Sequence, residues 1–62
     1  MPIVNVSILK GRTPQAKAAF AKAVTDAAAA HLDVTPPQVR VLITEIEPAH
    51  WFVAGESKAP IG

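Results

Sequence analysis

The chain has 62 residues, half of them apolar, no cysteine and a formal net charge of +1. A chain of this length buries only about 60% of the surface that its unfolded form exposes, and without cysteine it has neither a disulfide nor a thiolate metal site to stabilise it. The six basic residues are scattered among five acids and form no basic field for nucleic acid. We therefore expect one small domain, residues 1–62, which self-associates to cover its surplus apolar surface.

The sequence gives no sign of a membrane segment or a metal site. No apolar run approaches the roughly 20 residues that span a bilayer, and the N-terminus lacks a charged segment followed by a hydrophobic signal core. The histidines, His31 and His50, have no third ligand at metal-binding spacing. We expect a cytoplasmic protein that binds neither membrane nor nucleic acid and holds no metal.

The opening stretch predicts a strand. In an extended chain the apolar residues Val4, Val6 and Ile8 share one face, and the polar residues Asn5 and Ser7 share the other. This alternation is typical of a strand.

The next segment predicts a helix from Pro14 to about His31. Thr13 supplies an N-cap hydroxyl, and proline at the first helical position loses no hydrogen bond. The segment is mostly alanine, the best helix former. We expect one apolar face of the helix to pack on the sheet, and it consists of Ala16, Ala19, Phe20, Ala23, Val24, Ala27 and Ala30.

After the helix, Pro36-Pro37 favours an extended or single-turn connection. A second strand is predicted over residues 39–46, and its apolar run Val41-Leu42-Ile43 is typical of a strand buried on both faces. Strand, helix and strand in this order predict an α/β fold, a β-α-β unit with parallel strands and a right-handed crossover.

The tail from Pro48 to Gly62 contains Trp51-Phe52-Val53 and Gly55, and it predicts a short hairpin or arm. An exposed arm of this composition is an aggregation hazard, so we expect it to lie against a neighbouring subunit. Two parallel strands are also too few for a stable sheet. We therefore expect two chains to combine their strands in a four-stranded sheet.

Pro2 is the first candidate for chemistry. Removal of Met1 turns its nitrogen from a non-basic tertiary amide into a secondary amine that accepts and donates a proton. An α-amine has a reference pKa of about 8, and an apolar or cationic environment lowers that pKa by disfavouring the charged form. Such an amine is a suitable general base at cellular pH. The alternative is a proline that survives Met1 removal without a function.

Two arginines are candidates for binding anions. Arg12 lies just before the predicted helix N-terminus, where backbone N–H groups favour an anion, and its guanidinium binds a carboxylate with two bonds. An exposed loop arginine is the alternative. Arg40 lies within an apolar strand, where an unpaired charge is costly, so it should face a cleft, a carboxylate or a subunit boundary. Its alternative is an ion pair with Glu45 or Glu47 of this or another chain. Trp51 could lie in the core, in an interface or in an active-site wall.

In combination, four features resemble the 4-oxalocrotonate tautomerase family over essentially the whole chain. They are Pro2-Ile3-Val4 at the start, the turn at 9–13, the arginine-containing strand at 39–45 and an aromatic residue, Trp51, shortly afterwards. In that family the N-terminal proline moves a proton from the hydroxyl group of a dienol to a carbon of the same substrate, giving the conjugated ketone without a cofactor.

The resemblance implies a role for each matching residue. Pro2 is the catalytic base, and Arg12 holds the distal carboxylate. Arg40, from a neighbouring subunit, binds the 2-hydroxy or keto end and takes part in catalysis, while Trp51 excludes water from the pocket. The resemblance further implies a homohexamer, built as a trimer of dimers. Its substrate would be an enol acid such as 2-hydroxymuconate, from the catabolism of aromatic compounds.

The sequence departs from the family pattern at three places. Trp51 stands where phenylalanine is usual, and residues 52–55 contain one glycine where the family stretch is glycine-rich. Lys10 replaces a residue that is frequently acidic, which would make the rim of the pocket more positive.

Two other functions are compatible with the sequence. The same fold could serve a hydrolytic dehalogenase or a decarboxylase, with a protonated Pro2 and a carboxylate, Glu45 or Glu56, that activates water. Alternatively, the chain could be a non-catalytic oligomeric binding or scaffold protein, in which Met1 is retained.

Overall fold

The computed structural model describes residues 1–59. In chain order its elements are strand β1 (Ile3–Leu9), helix α1 (Pro14–Leu32), a 3-10 turn (Pro36–Gln38), strand β2 (Arg40–Ile46), a second 3-10 turn (Pro48–His50) and the short strands β3 (Phe52–Val53) and β4 (Glu56–Ser57). This order confirms the predicted β-α-β unit of the α/β class and the hairpin that follows it. The second 3-10 turn was not predicted.

Strands β1 and β2 form a parallel ladder in which Ile3 is opposite Arg40 and Leu9 is opposite Ile46. One backbone hydrogen bond extends the pairing at each end. The Arg40 N–H donates to the Pro2 carbonyl at 3.0 Å, and the Lys10 N–H donates to the Ile46 carbonyl at 2.9 Å. The ladder therefore fixes the positions of the residues that flank both strands.

Helix α1 begins and ends with side-chain and backbone caps. The Thr13 hydroxyl accepts a hydrogen bond from the Ala16 N–H at 3.1 Å, and Pro14 is the first helical residue. A cap of this kind is worth about 1 kcal/mol. At the other end Asp33 adopts a left-handed conformation (φ 55°) and its N–H donates to the Ala29 carbonyl. Within residues 1–59, no helix combines the length and apolarity needed to cross a membrane.

The face of α1 that packs on the sheet differs from the predicted one. Its half-buried residues are Lys17, Ala21, Val24, Thr25, Ala28 and Ala29. Of the predicted face only Val24 is among them, and Phe20 is 43% exposed. The prediction was wrong because alanine lies on every side of this helix, so apolar spacing does not distinguish its faces. The aliphatic stem of Lys17 contributes to the packing face, although its charge argued for solvent.

The sheet is covered by α1 on one face only. Val4 and Val6 of β1 and Val41 and Ile43 of β2 are half-buried on the helix side. On the other side Leu42 is 53% exposed, so the prediction that β2 is buried on both faces does not hold within one chain. Among the described residues, Val39 is the one buried apolar residue, and 8% of its surface is still exposed.

The chain is elongated for its length. Its Cα radius of gyration is 14.8 Å, whereas a compact domain of this length has about 11 Å. Its accessible surface is 4749 Å², whereas a compact monomer of this mass has about 3,800 Å². The single chain thus exposes about 900 Å² more than a compact monomer would.

Residues 52–57 form the predicted hairpin. Phe52 pairs with Ser57, and Val53 pairs with Glu56, in antiparallel register. Ala54 and Gly55 connect them, both with positive φ (52° and 83°), which matches a two-residue type I′ turn. Glycine tolerates this conformation, whereas alanine is strained in it. The predicted arm also included residues 60–62, which lie outside the described part of the chain.

We predict that Ala54→Gly stabilises the protein, because it removes the strain of positive φ at the turn. The gain should be roughly 0.5–1 kcal/mol in the free energy of unfolding. The control is Ala23→Gly, in the exposed middle of α1, which should lose about 1 kcal/mol. Thermal unfolding at a fixed protein concentration measures both variants. A lower melting temperature for Ala54→Gly would contradict the positive-φ turn.

Candidate functional site

Pro2 lies immediately before β1 and is half-buried. Strand alternation puts its ring on the helix side, with Val4 and the buried Val39, and its carbonyl accepts the Arg40 N–H at 3.0 Å. Apolar neighbours of this kind disfavour a charged amine. With Met1 attached, however, the Pro2 nitrogen is an amide and has no basic lone pair.

The exposed Arg40 is the first residue of β2 and lies on the uncovered face of the sheet, like its neighbour Ile3. Its guanidinium Nη1 donates to the Pro37 carbonyl at 2.6 Å and to the Val39 carbonyl at 3.4 Å. Within residues 1–59 it forms no ion pair, because Glu45 and Glu47 lie at the opposite end of β2, where they bind lysines. The alternative in which Arg40 pairs with these carboxylates is therefore wrong for the single chain.

Arg12 is exposed in the connection between β1 and α1. The preceding Gly11 has φ 125°, a conformation that side chains rarely adopt, and the following Thr13 caps the helix. The glycine and the cap together define where the backbone of Arg12 lies. As predicted, Arg12 thus directly precedes the N-cap of α1, at the end of the helix where an anion is favoured.

Two ion pairs flank the connection that carries Arg12. Lys10 Nζ lies 2.9 Å from Glu47 Oε1, and Lys17 Nζ lies 2.7 Å from Glu45 Oε1. The hydrogen bond that Lys10 donates to Glu47 raises the pKa of the Lys10 amine. The hydrogen bond that Lys17 donates to Glu45 lowers the pKa of the Glu45 carboxyl. In the single chain Glu47 balances the charge of Lys10. The expected gain of positive charge at the rim of the pocket stays a prediction. Sequence reasoning missed both pairs, which join residues at the carboxyl ends of the strands to each other and to Lys17 in the first turns of α1.

Trp51 is half-buried between the second 3-10 turn and β3. Its backbone N–H donates to the Pro48 carbonyl at 3.2 Å, and its backbone carbonyl accepts the Lys58 N–H at 2.8 Å. The Ser57 hydroxyl donates to the same Pro48 carbonyl at 3.1 Å. The base of the hairpin therefore holds Trp51 just beyond the carboxyl end of β2.

The candidate residues fall into two groups at opposite ends of the sheet. Pro2 and Arg40 lie at the amino ends of the parallel strands, whereas Arg12 and Trp51 follow their carboxyl ends. A seven-residue strand separates the ends, and this corresponds to about 20 Å. Residues 1–59 of the single chain enclose no pocket. One chain therefore does not bring the four predicted residues together.

Comparison with known proteins gives the family. Residues 2–60 match the tautomerase family, whose members are described as tautomerase enzymes. The chain belongs to this family. It is 46% identical over 59 residues to a probable tautomerase of Ralstonia nicotianae. The aligned residues cover 95% of this chain and 84% of that protein. It is 39% identical to a 2-hydroxymuconate tautomerase of Stutzerimonas stutzeri, over 100% of this chain and 98% of that protein.

The similarity extends to solved structures. A heterohexameric 4-oxalocrotonate tautomerase from Chloroflexus aurantiacus superposes with a TM-score of 0.92 at 40% identity, and each chain is fully covered. The resemblance to the 4-oxalocrotonate tautomerases is thus confirmed. The protein is a tautomerase, which is an isomerase by reaction class. The roles of the four site residues of this tautomerase stay predictions.

The Lys17–Glu45 pair predicts a pH dependence of stability. A lowered pKa of Glu45 means that its ionised form stabilises the fold. That contribution is present above the ordinary carboxyl pKa of about 4.3 and is lost as the pH falls through the lower pKa of the folded state. Glu45→Gln should therefore be less stable than the unmodified protein at neutral pH and approach it in stability in acid.

The control is Glu56→Gln, since Glu56 forms no ion pair within residues 1–59. It should leave stability nearly unchanged at neutral pH. Denaturant unfolding across the acid range measures both variants. A deficit for Glu45→Gln that is the same in acid as at neutral pH would show that the ion pair does not contribute.

Proposed function

We propose that this tautomerase converts 2-hydroxydienoates, such as 2-hydroxymuconate, into the conjugated 2-oxo acids. One observation carries the proposal: the similarity to the 2-hydroxymuconate tautomerase of Stutzerimonas stutzeri extends over the whole chain. The substrate class agrees with the charges of the candidate residues, because the two exposed arginines suit an acid with an anionic group at each end.

In the proposed reaction Pro2 acts as base and then as acid. After Met1 is removed, its amine takes the proton of the substrate's 2-hydroxyl group, and the resulting ammonium returns a proton to a carbon of the same molecule. The half-buried position of the ring beside Val4 and Val39 supports this role. An apolar environment lowers the pKa of the amine, so more of it is free base at neutral pH.

The other three residues bind the substrate and stabilise the charge that develops on it. Arg12 binds the distal carboxylate, and Arg40 binds the carboxylate and oxygen of the reacting end, where it also stabilises the dienolate. Trp51 excludes water from the pocket, which strengthens these electrostatic interactions. No group beyond the chain itself is required for this proton transfer.

We further propose that the site forms between chains, each a single domain of residues 1–62. The separation of about 20 Å along β1 keeps Pro2 and Arg12 of one chain apart. β1 is an edge of the two-stranded sheet. Antiparallel pairing of two β1 edges would build a four-stranded sheet and bring Pro2 of one chain beside Arg12 of the other. Arg40, on the face opposite the Pro2 ring, would then serve a neighbouring site.

The assembly proposed is a homohexamer, a trimer of such dimers. The excess surface of about 900 Å² per chain is close to the roughly 800 Å² that each partner buries in a stable interface. Exposed Leu42 and Phe20 lie on two separate faces, so more than one contact surface is needed. The hexameric state of the Chloroflexus aurantiacus relative supports the same number of chains.

The other functions considered find no support in the site. A hydrolytic dehalogenase or a decarboxylase needs a carboxylate that activates water. Glu45 is bound to Lys17 and its pKa is lowered, so it is a weaker base than an ordinary carboxylate. Glu56 lies in the exposed strand β4. A non-catalytic scaffold is not favoured either, because the chain belongs to a family of enzymes.

The role of Pro2 is tested by its replacement in protein whose mass shows that Met1 has been removed. Positioned proton transfer contributes about 100-fold to 10,000-fold, so Pro2→Ala should reduce the rate of 2-hydroxymuconate ketonisation at least tens of times. Some activity should remain, because alanine retains a primary amine. Ketonisation is followed by ultraviolet absorbance, and the oligomer size is checked by light scattering.

The matched control is Pro14→Ala, at the first position of α1 and outside the proposed site. Its ketonisation rate should stay near that of the unmodified protein. Protein that retains Met1 should be inactive, because its Pro2 nitrogen is blocked. Full turnover by Pro2→Ala, or by protein that retains Met1, would rule out the proposed base.

A further inference from the structure

The guanidinium of Arg40 is held by the backbone of its own chain before any substrate binds. Nη1 donates to the Pro37 carbonyl at 2.6 Å and to the Val39 carbonyl at 3.4 Å. An arginine has five N–H donors, and these bonds occupy only those of Nη1. The N–H groups of Nη2 and Nε stay available, and together they form the planar edge that binds a carboxylate with two bonds.

The carbonyl groups that accept these bonds belong to a tightly hydrogen-bonded turn. The Gln38 N–H donates to the Thr35 carbonyl at 2.9 Å, and the Val39 N–H donates to the Pro36 carbonyl at 3.0 Å. Pro36 and Pro37 have φ fixed by their rings, which removes most of the freedom of the turn. The position of the Pro37 carbonyl is therefore determined by the turn and not by Arg40.

The side chain of Gln38 closes this turn. Its Oε1 accepts the Thr35 N–H at 3.0 Å and the Thr35 hydroxyl at 3.2 Å, in the arrangement of a capping box. Without it, the Thr35 N–H has no other hydrogen-bond partner among the described residues. The Gln38 side-chain oxygen thus joins the two ends of the Thr35–Gln38 turn. This turn contains the Pro37 carbonyl and directly precedes Val39, whose carbonyl is the second acceptor of Arg40.

Val39 attaches the turn to the rest of the fold. It is 8% exposed and lies on the helix side of the sheet, while Arg40 next to it lies on the uncovered side. The Arg40 N–H is bound to the Pro2 carbonyl at 3.0 Å. Arg40 is therefore held at both ends. The ladder fixes its backbone, and the turn fixes its guanidinium.

We propose that Gln38 is a positioning residue for the reaction, which acts through the turn at 35–39 to orient the guanidinium of Arg40. The proposal rests on the function proposed above for Arg40. A long side chain that is already oriented loses less conformational freedom when it binds the reacting end of the substrate. Gln38 contacts no substrate in this account, and its effect depends entirely on the presence of the Arg40 side chain.

The test is a double-mutant cycle with Gln38→Met, which keeps the length of the side chain and removes its acceptor, and Arg40→Ala. Immobilising one long side chain corresponds to about a threefold to tenfold change in an equilibrium constant. Gln38→Met should therefore lower kcat/KM for 2-hydroxymuconate ketonisation by about that factor. In the Arg40→Ala background the same substitution should have no further effect.

Two controls separate positioning from a general loss of structure. Gln38→Glu keeps an acceptor oxygen for Thr35 and should recover most of the activity. Gln15→Met, on the exposed first turn of α1, should leave kcat/KM unchanged. Circular dichroism and light scattering check the fold and the oligomer. Should Gln38→Met fail to assemble, the cycle is carried out with Thr35→Val, which removes only the hydroxyl donor.

The outcomes distinguish this inference from the proposed function. Unchanged activity of Arg40→Ala would overturn the proposed role of Arg40, and this inference with it. A strong loss in Arg40→Ala together with full activity of Gln38→Met would overturn the role of Gln38 alone. An equal loss from Gln38→Met with and without Arg40 would mean that Gln38 acts on general stability, and it would also overturn the inference.

Discussion

The parallel ladder between β1 and β2 determines where every candidate residue lies. In a parallel pair both strands begin at one end, so Pro2 and Arg40 come together there and are joined by a backbone hydrogen bond. Arg12 and Trp51 follow the other end. The crossover helix covers one face of the pair and leaves the second face and both edges open. Consequently the same ladder that gives the chain its fold also separates its candidate residues, and in the proposed assembly further chains bring them together.

Polar contacts at the two ends of the ladder hold side chains that the small core does not fix. Because Val39 is the one buried residue within residues 1–59, packing alone fixes few side chains. At the amino ends, the Thr35–Gln38 bonds define the turn that holds Arg40. At the carboxyl ends, the Lys17–Glu45 pair joins the first turns of the helix to β2, next to Arg12. Polar contacts thus order both ends, within a short stretch of the chain at the amino ends and between distant segments at the carboxyl ends.

Local chemistry made much of the fold predictable. The alternation of the opening stretch predicted β1, and the apolar run Val41-Leu42-Ile43 predicted β2. The Thr13 cap and Pro36-Pro37 predicted the start of the helix and the connecting turn. The packing face of the helix was not predictable, because alanine lies on every side of α1 and apolar spacing therefore does not distinguish its faces. Phe20, on the predicted face, is 43% exposed in the single chain. The Gln38 contact was missed for a different reason, since a polar residue beside two prolines has the composition of an ordinary loop.

A complementation experiment with Pro2→Ala and Arg12→Ala proteins tests most directly whether the site is shared between chains. Each variant is weakly active alone, and the two are unfolded together and reassembled. A mixed pair would contain one site with Pro2 from one chain and Arg12 from the other, so the account predicts that ketonisation of 2-hydroxymuconate rises above that of either variant refolded alone. No such rise, in oligomers that mass spectrometry shows to be mixed, would mean that both residues act within one chain and would contradict the account.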